Sequence, residues 1–155
     1  MAADAPLETR PLGDDVPAAA FLQSAPLCKA ISAESFARLL SHGTLVSYAT
    51  GAVVVTEGDL DDALYIVFDG SVAVCKSHDA ELVELATLER GHIFGEIGVM
   101  MQAPRSASVV TGTDSRLIRL PGDIVRAVAD AEPMFGRLLA ALMAAHRKDT
   151  ARKIG

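Results

Sequence analysis

A mainly β domain, an antiparallel β-roll or jelly-roll with helices flanking it on both sides, is what the sequence predicts. Three observations carry that prediction. Between Leu45 and Leu120, short runs of Val, Ile, Leu, Tyr and Thr are punctuated by Gly and Asp, the pattern of strands joined by tight turns. On either side of this block the apolar residues recur with a helical period instead. The length, 155 residues, is that of one ordinary domain able to bury its own core.

Taken in order, residues 1 to 17 are rich in Ala, Pro and Asp without periodicity and are expected as a flexible tail, which leaves 18–155 as the folded domain. From Ala18 to Leu40 the pattern predicts short helices. Ser32, with Glu34 in the first turn behind it, is a suitable N-cap for the helix ending near His42, and Gly43 is placed as its stop. Strands are expected near 45–49, 52–57, 63–68, 71–76, 82–88, 106–111 and 115–120, with Asp69-Gly70 as a hairpin turn between the third and fourth. Within this β block, residues 95–102, "GEIGVMMQ", are long enough for about two helical turns, and Pro104 drives residue 103 out of the helical basin. After Leu120, "PGDIVRAVADAEP" predicts a short helix and Pro133 opens a longer one. Phe135, Leu138, Leu139, Leu142 and Met143 form its apolar stripe. That stripe fits packing against the β core, while the flanking Ala140, Ala141, Ala144 and Ala145 would also let a second helix approach closely.

Composition excludes several functions. The net charge is −6, from 14 Lys plus Arg against 20 Asp plus Glu, and the single basic cluster is "HRKDTARK" near the C-terminus, so nucleic acid is not an expected partner. Mean hydropathy is high, +0.31, yet no apolar run approaches the roughly 18 residues that span a bilayer. The first residues lack a secretory pattern, so no membrane association and a cytoplasmic location are expected. Cys28 and Cys75 sit far apart among apolar neighbours and read as reduced core thiols. The four histidines have no ligand spacing, so no metal site is expected, nor an enzyme of the metal-dependent β-roll kind.

The candidate site is "FGEIGVMMQAPRSASV", residues 94–109, an apolar stretch holding one acid, Glu96, and one base, Arg105. The first turn of a helix offers unpaired N–H groups, and Gly95 allows close approach to them. An Arg folded back over that turn would complete a phosphate pocket, since its planar fork gives two parallel hydrogen bonds. Glu96 would repel the phosphate but could accept a hydrogen bond from a neutral hydroxyl beside it, such as a ribose 2′-OH. The residues alone also allow Glu96 and Arg105 simply to pair with each other, or Arg105 to be exposed.

The run F-G-E-[L/I]-x-x-x…P-R-[S/A/T]-A-x-V resembles the phosphate-binding cassette of the cyclic nucleotide-binding domain family, found in the bacterial catabolite activator and in regulatory subunits of cyclic-AMP-dependent kinase. "GAVVVTEGD", "LYIVFDGSVAV" and "LERGHIFGE" are similar to the family's successive strands and Gly turns, in order, so the resemblance covers roughly residues 20 to 153. It implies a phosphate-binding cassette helix, then hinge and lid helices at the C-terminal end. It implies that Arg105 binds the exocyclic phosphate oxygens and Glu96 the ribose 2′-OH. The backbone N–H groups of Gly95, Ile97 and Ser106 would complete the shell, and the Ser106 hydroxyl would touch phosphate or the guanine 2-amino group. Val74, Ala86 and Leu88 would line the base pocket, or serve only as core, and Thr150 would meet the base from the lid helix. Gly98-Val99 stands where the family often has Ala-Leu. A helix-turn-helix, kinase or channel segment is not expected after the lid helix, and two cysteines cannot hold an iron–sulfur cluster.

The expected function is that of a stand-alone, non-catalytic receptor for cAMP or cGMP, without further cofactor. Its C-terminal helix would signal to a protein effector or form a homodimer. The alternative is a degenerate domain of the same fold, acting as a structural or interaction module without nucleotide.

Overall fold

A computed structural model describes the backbone of residues 1–154 and the side chains of residues 1–148. In chain order the elements are β1 (Glu8–Pro11), α1 (Val16–Ser24), α2 (Ala33–His42), β2 (Thr44–Tyr48), β3 (Val53–Val55), β4 (Ala63–Asp69), β5 (Val72–His78), β6 (Glu81–Leu88), β7 (Ile93–Phe94), α3 (Glu96–Met101), β8 (Ser108–Thr111), β9 (Ser115–Pro121), α4 (Gly122–Ala131) and α5 (Pro133–Ile154). One sheet runs β1-β2-β9-β4-β7 and the other β3-β8-β5-β6, with every pairing antiparallel. The predicted β-roll with flanking helices is therefore the observed fold. Among the described residues, no helix is long and apolar enough to cross a membrane.

The strand β4, "ALYIVFD", shows how the layers are assembled. Its side chains alternate between two cores: Leu64, Ile66 and Phe68 face the helices, while Ala63, Tyr65 and Val67 face the other sheet. A strand buried on both faces needs an unbroken apolar run, which is what the sequence supplies. The helix-facing core is closed by Leu39 of α2, Val125 and Val128 of α4, and Phe135 and Leu139 of α5. Phe135 is completely buried there. Phe135→Ala is expected to lower unfolding free energy by about 3–5 kcal/mol, read as a shifted urea midpoint with an unchanged slope.

The caps follow the expected chemistry with one difference. Ser32 Oγ accepts the Ser35 N–H at 3.1 Å, as an N-cap should. Gly43 ends α2, but in extended geometry with φ −77° and ψ 156°. What constrains this position is space: a Cβ would lie 2.7 Å from the Leu39 carbonyl oxygen and 2.9 Å from Leu12 Cδ2.

Two segments differ from the sequence reading. Residues expected in a flexible tail contain β1, which pairs with β2 from Glu8↔Ser47 to Pro11↔Thr44. All four of its side chains are exposed, so it carries no hydrophobic pattern. Backbone bonding to the open edge of β2 holds it, and the fully buried Leu12 follows directly. The Asp69-Gly70 turn also differs. Only Gly70 has positive φ, +91°, and the strands on either side do not form a hairpin. β4 pairs with β7 and β9, whereas β5 pairs with β6 and β8, so the turn carries the chain from one sheet to the other.

Candidate functional site

The site lies where β7 runs into α3, at the mouth of the space between the sheets. Gly95 separates the two elements with φ +92° and ψ 0°, a conformation that reverses the chain so sharply that Glu96 opens a helix. The helix α3 stops at Gln102, also left-handed at φ 49°, whose N–H bonds to the Gly98 carbonyl. Pro104 and Arg105 then return toward β4, where the Arg105 N–H donates to the Asp59 carbonyl at 2.8 Å. This brings the two ends of the quoted motif together.

Arg105 is 5% exposed and Glu96 2%. They do not pair with each other: each has its own partners. Arg105 Nη1 donates to the Gly95 carbonyl at 2.9 Å, and Nη2 to the Ala63 carbonyl and to Asp61 Oδ2 at 3.2 Å. Asp61 is held in turn by the Tyr65 hydroxyl at 2.9 Å and by Arg119 Nη2 at 3.5 Å. Burial, together with the charge of Asp61, pushes the Tyr65 hydroxyl well above its ordinary range, so it remains a donor. Glu96 Oε1 accepts a hydrogen bond from His146 Nδ1 of α5. A carboxylate is acceptor-only, which fixes that ring nitrogen as the donor.

Among the described residues three buried side-chain polar atoms lack a partner, Thr56 Oγ1 and two atoms of this site. Glu96 Oε2 and Arg105 Nε are both buried and have no partner among the described residues. Buried polar groups are nearly always hydrogen-bonded, so each has bonding capacity left for a bound molecule or a water.

Both residues line one cleft, which is partly open to solvent. Glu96, Arg105, Gly95, Ile97 and Ser106 form its polar end. Val74, Ala86 and Leu88 line its apolar part beside Leu85 and Val109. The structure thus gathers every candidate site residue named above except Thr150, whose side chain lies outside the described residues.

Three participants were not among the candidates. Leu85 and Ala86 both face the cleft although they are adjacent, because the β5–β6 register shifts between Val74↔Ala86 and Cys75↔Glu84, leaving Leu85 as a bulge. Asp61, in the loop before β4, gave no signal beyond its charge. His146 did give one: Phe135, Leu139, Leu142 and His146 recur at steps of four, three and four, so the histidine continues the buried stripe of α5.

A β-roll that holds one buried guanidinium and one buried carboxylate, each incompletely bonded, at the end of an apolar cleft defines a small-molecule-binding module. Residues 45–132 match the family model described as the cyclic nucleotide-binding domain. The chain belongs to that family. It is 30% identical over 133 residues to a cAMP-dependent protein kinase regulatory subunit of Mycosarcoma maydis, covering 84% of this chain and 24% of that one. It is 32% identical over 124 residues to the cyclic AMP receptor protein of Thermus thermophilus, covering 79% and 57% respectively. The crystal structure of the Thermus thermophilus catabolite activator protein superposes with a TM-score of 0.71 at 30% identity, over 82% of this chain and 60% of that one. The chain therefore spans less than two thirds of these relatives.

Proposed function

We propose that the chain is a cytoplasmic receptor for cAMP or cGMP that reports binding through movement of α5 to a protein effector or a second copy of itself. The observation that carries this reading is the pair of incompletely bonded buried groups, Arg105 Nε and Glu96 Oε2, on one cleft. A guanidinium has five N–H donors. Three Arg105 contacts are made within the protein, and Nε–H is available to a phosphate oxygen. The backbone N–H groups of Gly95, Ile97 and Ser106, with the Ser106 hydroxyl, surround the same oxygens. Glu96 Oε2 accepts from the ribose 2′-OH, and Val74, Ala86 and Leu88 cover the base. A degenerate domain would retain no reason to bury two such groups half-bonded.

The lid helix contributes Phe135 and Leu139 to the core and His146 to the cleft, so a ligand that fills the cleft acts on the position of α5. A ligand shifts a conformational equilibrium only by its differential affinity for the two states, and contact with α5 supplies such a difference.

Calorimetric titration with cAMP and with cGMP tests the reading, and failure of both to bind would end it. Glu96→Gln is expected to weaken cyclic nucleotide binding about ten-fold, while affinity for a 2′-deoxy analogue changes by less than about two-fold. Equal losses for the two ligands would contradict the ribose role.

A further inference from the structure

The two oxygens of Glu96 have different surroundings. Oε1 is held by His146 Nδ1 from α5, and Oε2 is buried without a partner. His146 stands one helical step beyond Leu142 on the stripe that begins with the fully buried Phe135 and Leu139. It is itself 38% exposed and lines the cleft, whereas Glu96 is 2% exposed. Glu96 is thus the floor of the site and His146 the point at which the last helix reaches it.

Resting on the ligand assignment above, we infer that His146 is a positioning residue for ribose recognition: it fixes the Glu96 carboxylate through Oε1 so that Oε2 is presented to the ligand hydroxyl, and it thereby ties α5 to an occupied site. A carboxylate held by one donor has lost its rotational freedom before the ligand arrives, so less ordering remains when the second bond forms. The effect is reciprocal. A hydroxyl on Oε2 orders the same carboxylate that His146 grips, so ligand favours the docked helix and the docked helix favours ligand. The ribose side of the cleft is therefore linked to α5 by a polar contact, separate from apolar packing around the base.

The opposite arrangement would be a histidine that competes with the hydroxyl for Glu96. The unpartnered Oε2 argues against competition, because an acceptor remains for the ligand while the histidine stays in place.

The test compares His146→Ala and His146→Asn in the full chain, titrated with a cyclic nucleotide and with its 2′-deoxy analogue. Asn places an amide donor near the position of Nδ1. His146→Ala is expected to lose about ten-fold in affinity for the cyclic nucleotide and less than about two-fold for the deoxy analogue. His146→Asn is expected to recover to within about three-fold of wild type. In hydrogen exchange, the cyclic nucleotide should protect the α5 amides in the wild-type protein more than in His146→Ala. Unchanged affinity in His146→Ala, equal losses for both ligands, or tighter binding would each overturn the inference, the last by showing competition. Wild-type protein that binds neither ligand would instead remove the ligand reading itself. In that case the imidazole nitrogen shifts of His146 still test the contact, which is refuted if Glu96→Gln leaves them unmoved.

Discussion

Arg105→Ala is expected to reduce cyclic nucleotide affinity by about 100-fold or more, the consequence of deleting a charge-assisted hydrogen bond to the phosphate together with the positive charge behind it. The side chain does two jobs, and the variant separates them. On the proposed reading it offers Nε–H to the ligand. Toward the protein it satisfies the carbonyls of Gly95 and Ala63 and pairs with Asp61. Removing it strands no isolated charge, because Asp61 keeps the Tyr65 hydroxyl and Arg119. The stability cost is therefore that of a few lost hydrogen bonds, about 1–3 kcal/mol, and the fold should persist with a cooperative urea transition. Arg105→Lys restores the charge but not the planar fork, and should fall between wild type and Ala. The check is calorimetry beside a urea melt. Affinity within about three-fold of wild type would refute the phosphate role of Arg105.

The legible parts of this protein are those where the chemistry lies in consecutive residues. The strand β4 announces itself because both its faces are buried, and α5 because its stripe runs from Phe135 through Leu142. The lone charges of residues 94–109 were legible for the same reason: a carboxylate and a guanidinium stand out against apolar neighbours. Their partners were not legible, since Asp61 lies 44 residues before Arg105 and His146 lies 50 residues after Glu96. No local pattern encodes those distances. β1 was illegible for a different reason. Its side chains are all exposed, and its strand state belongs to the edge of β2. The Asp69-Gly70 turn showed that a turn was present but not which strands it joined, a choice made by tertiary pairing.

Gly95→Ala should be nearly as damaging to binding as loss of Arg105 itself, although it deletes nothing. Two effects act at once. The residue sits at φ +92° and ψ 0°, where an L side chain is strained by about 1–3 kcal/mol. The added Cβ would also lie 2.5 Å from Arg105 Nη1 and 2.7 Å from the Ala63 carbonyl oxygen. Ala63 belongs to β4, fully buried and paired with β9, so the carbonyl has no room to retreat. The guanidinium must move instead, which breaks its bond to the Gly95 carbonyl and withdraws Nε from the cleft. Affinity is expected to fall about 30-fold or more, with stability lower by about 2 kcal/mol. Gly98→Ala is the control. Its Cβ would meet the same Nη1 at 3.0 Å, but without a positive φ and with ordinary contact elsewhere. In α3 the better helix propensity of Ala, worth about 1 kcal/mol, offsets that crowding, so binding should stay within about five-fold of wild type. If Gly95→Ala binds like wild type, Arg105 is not seated against Gly95 when ligand is bound. If both variants fail equally, crowding at the guanidinium alone is sufficient and the backbone conformation at Gly95 adds nothing.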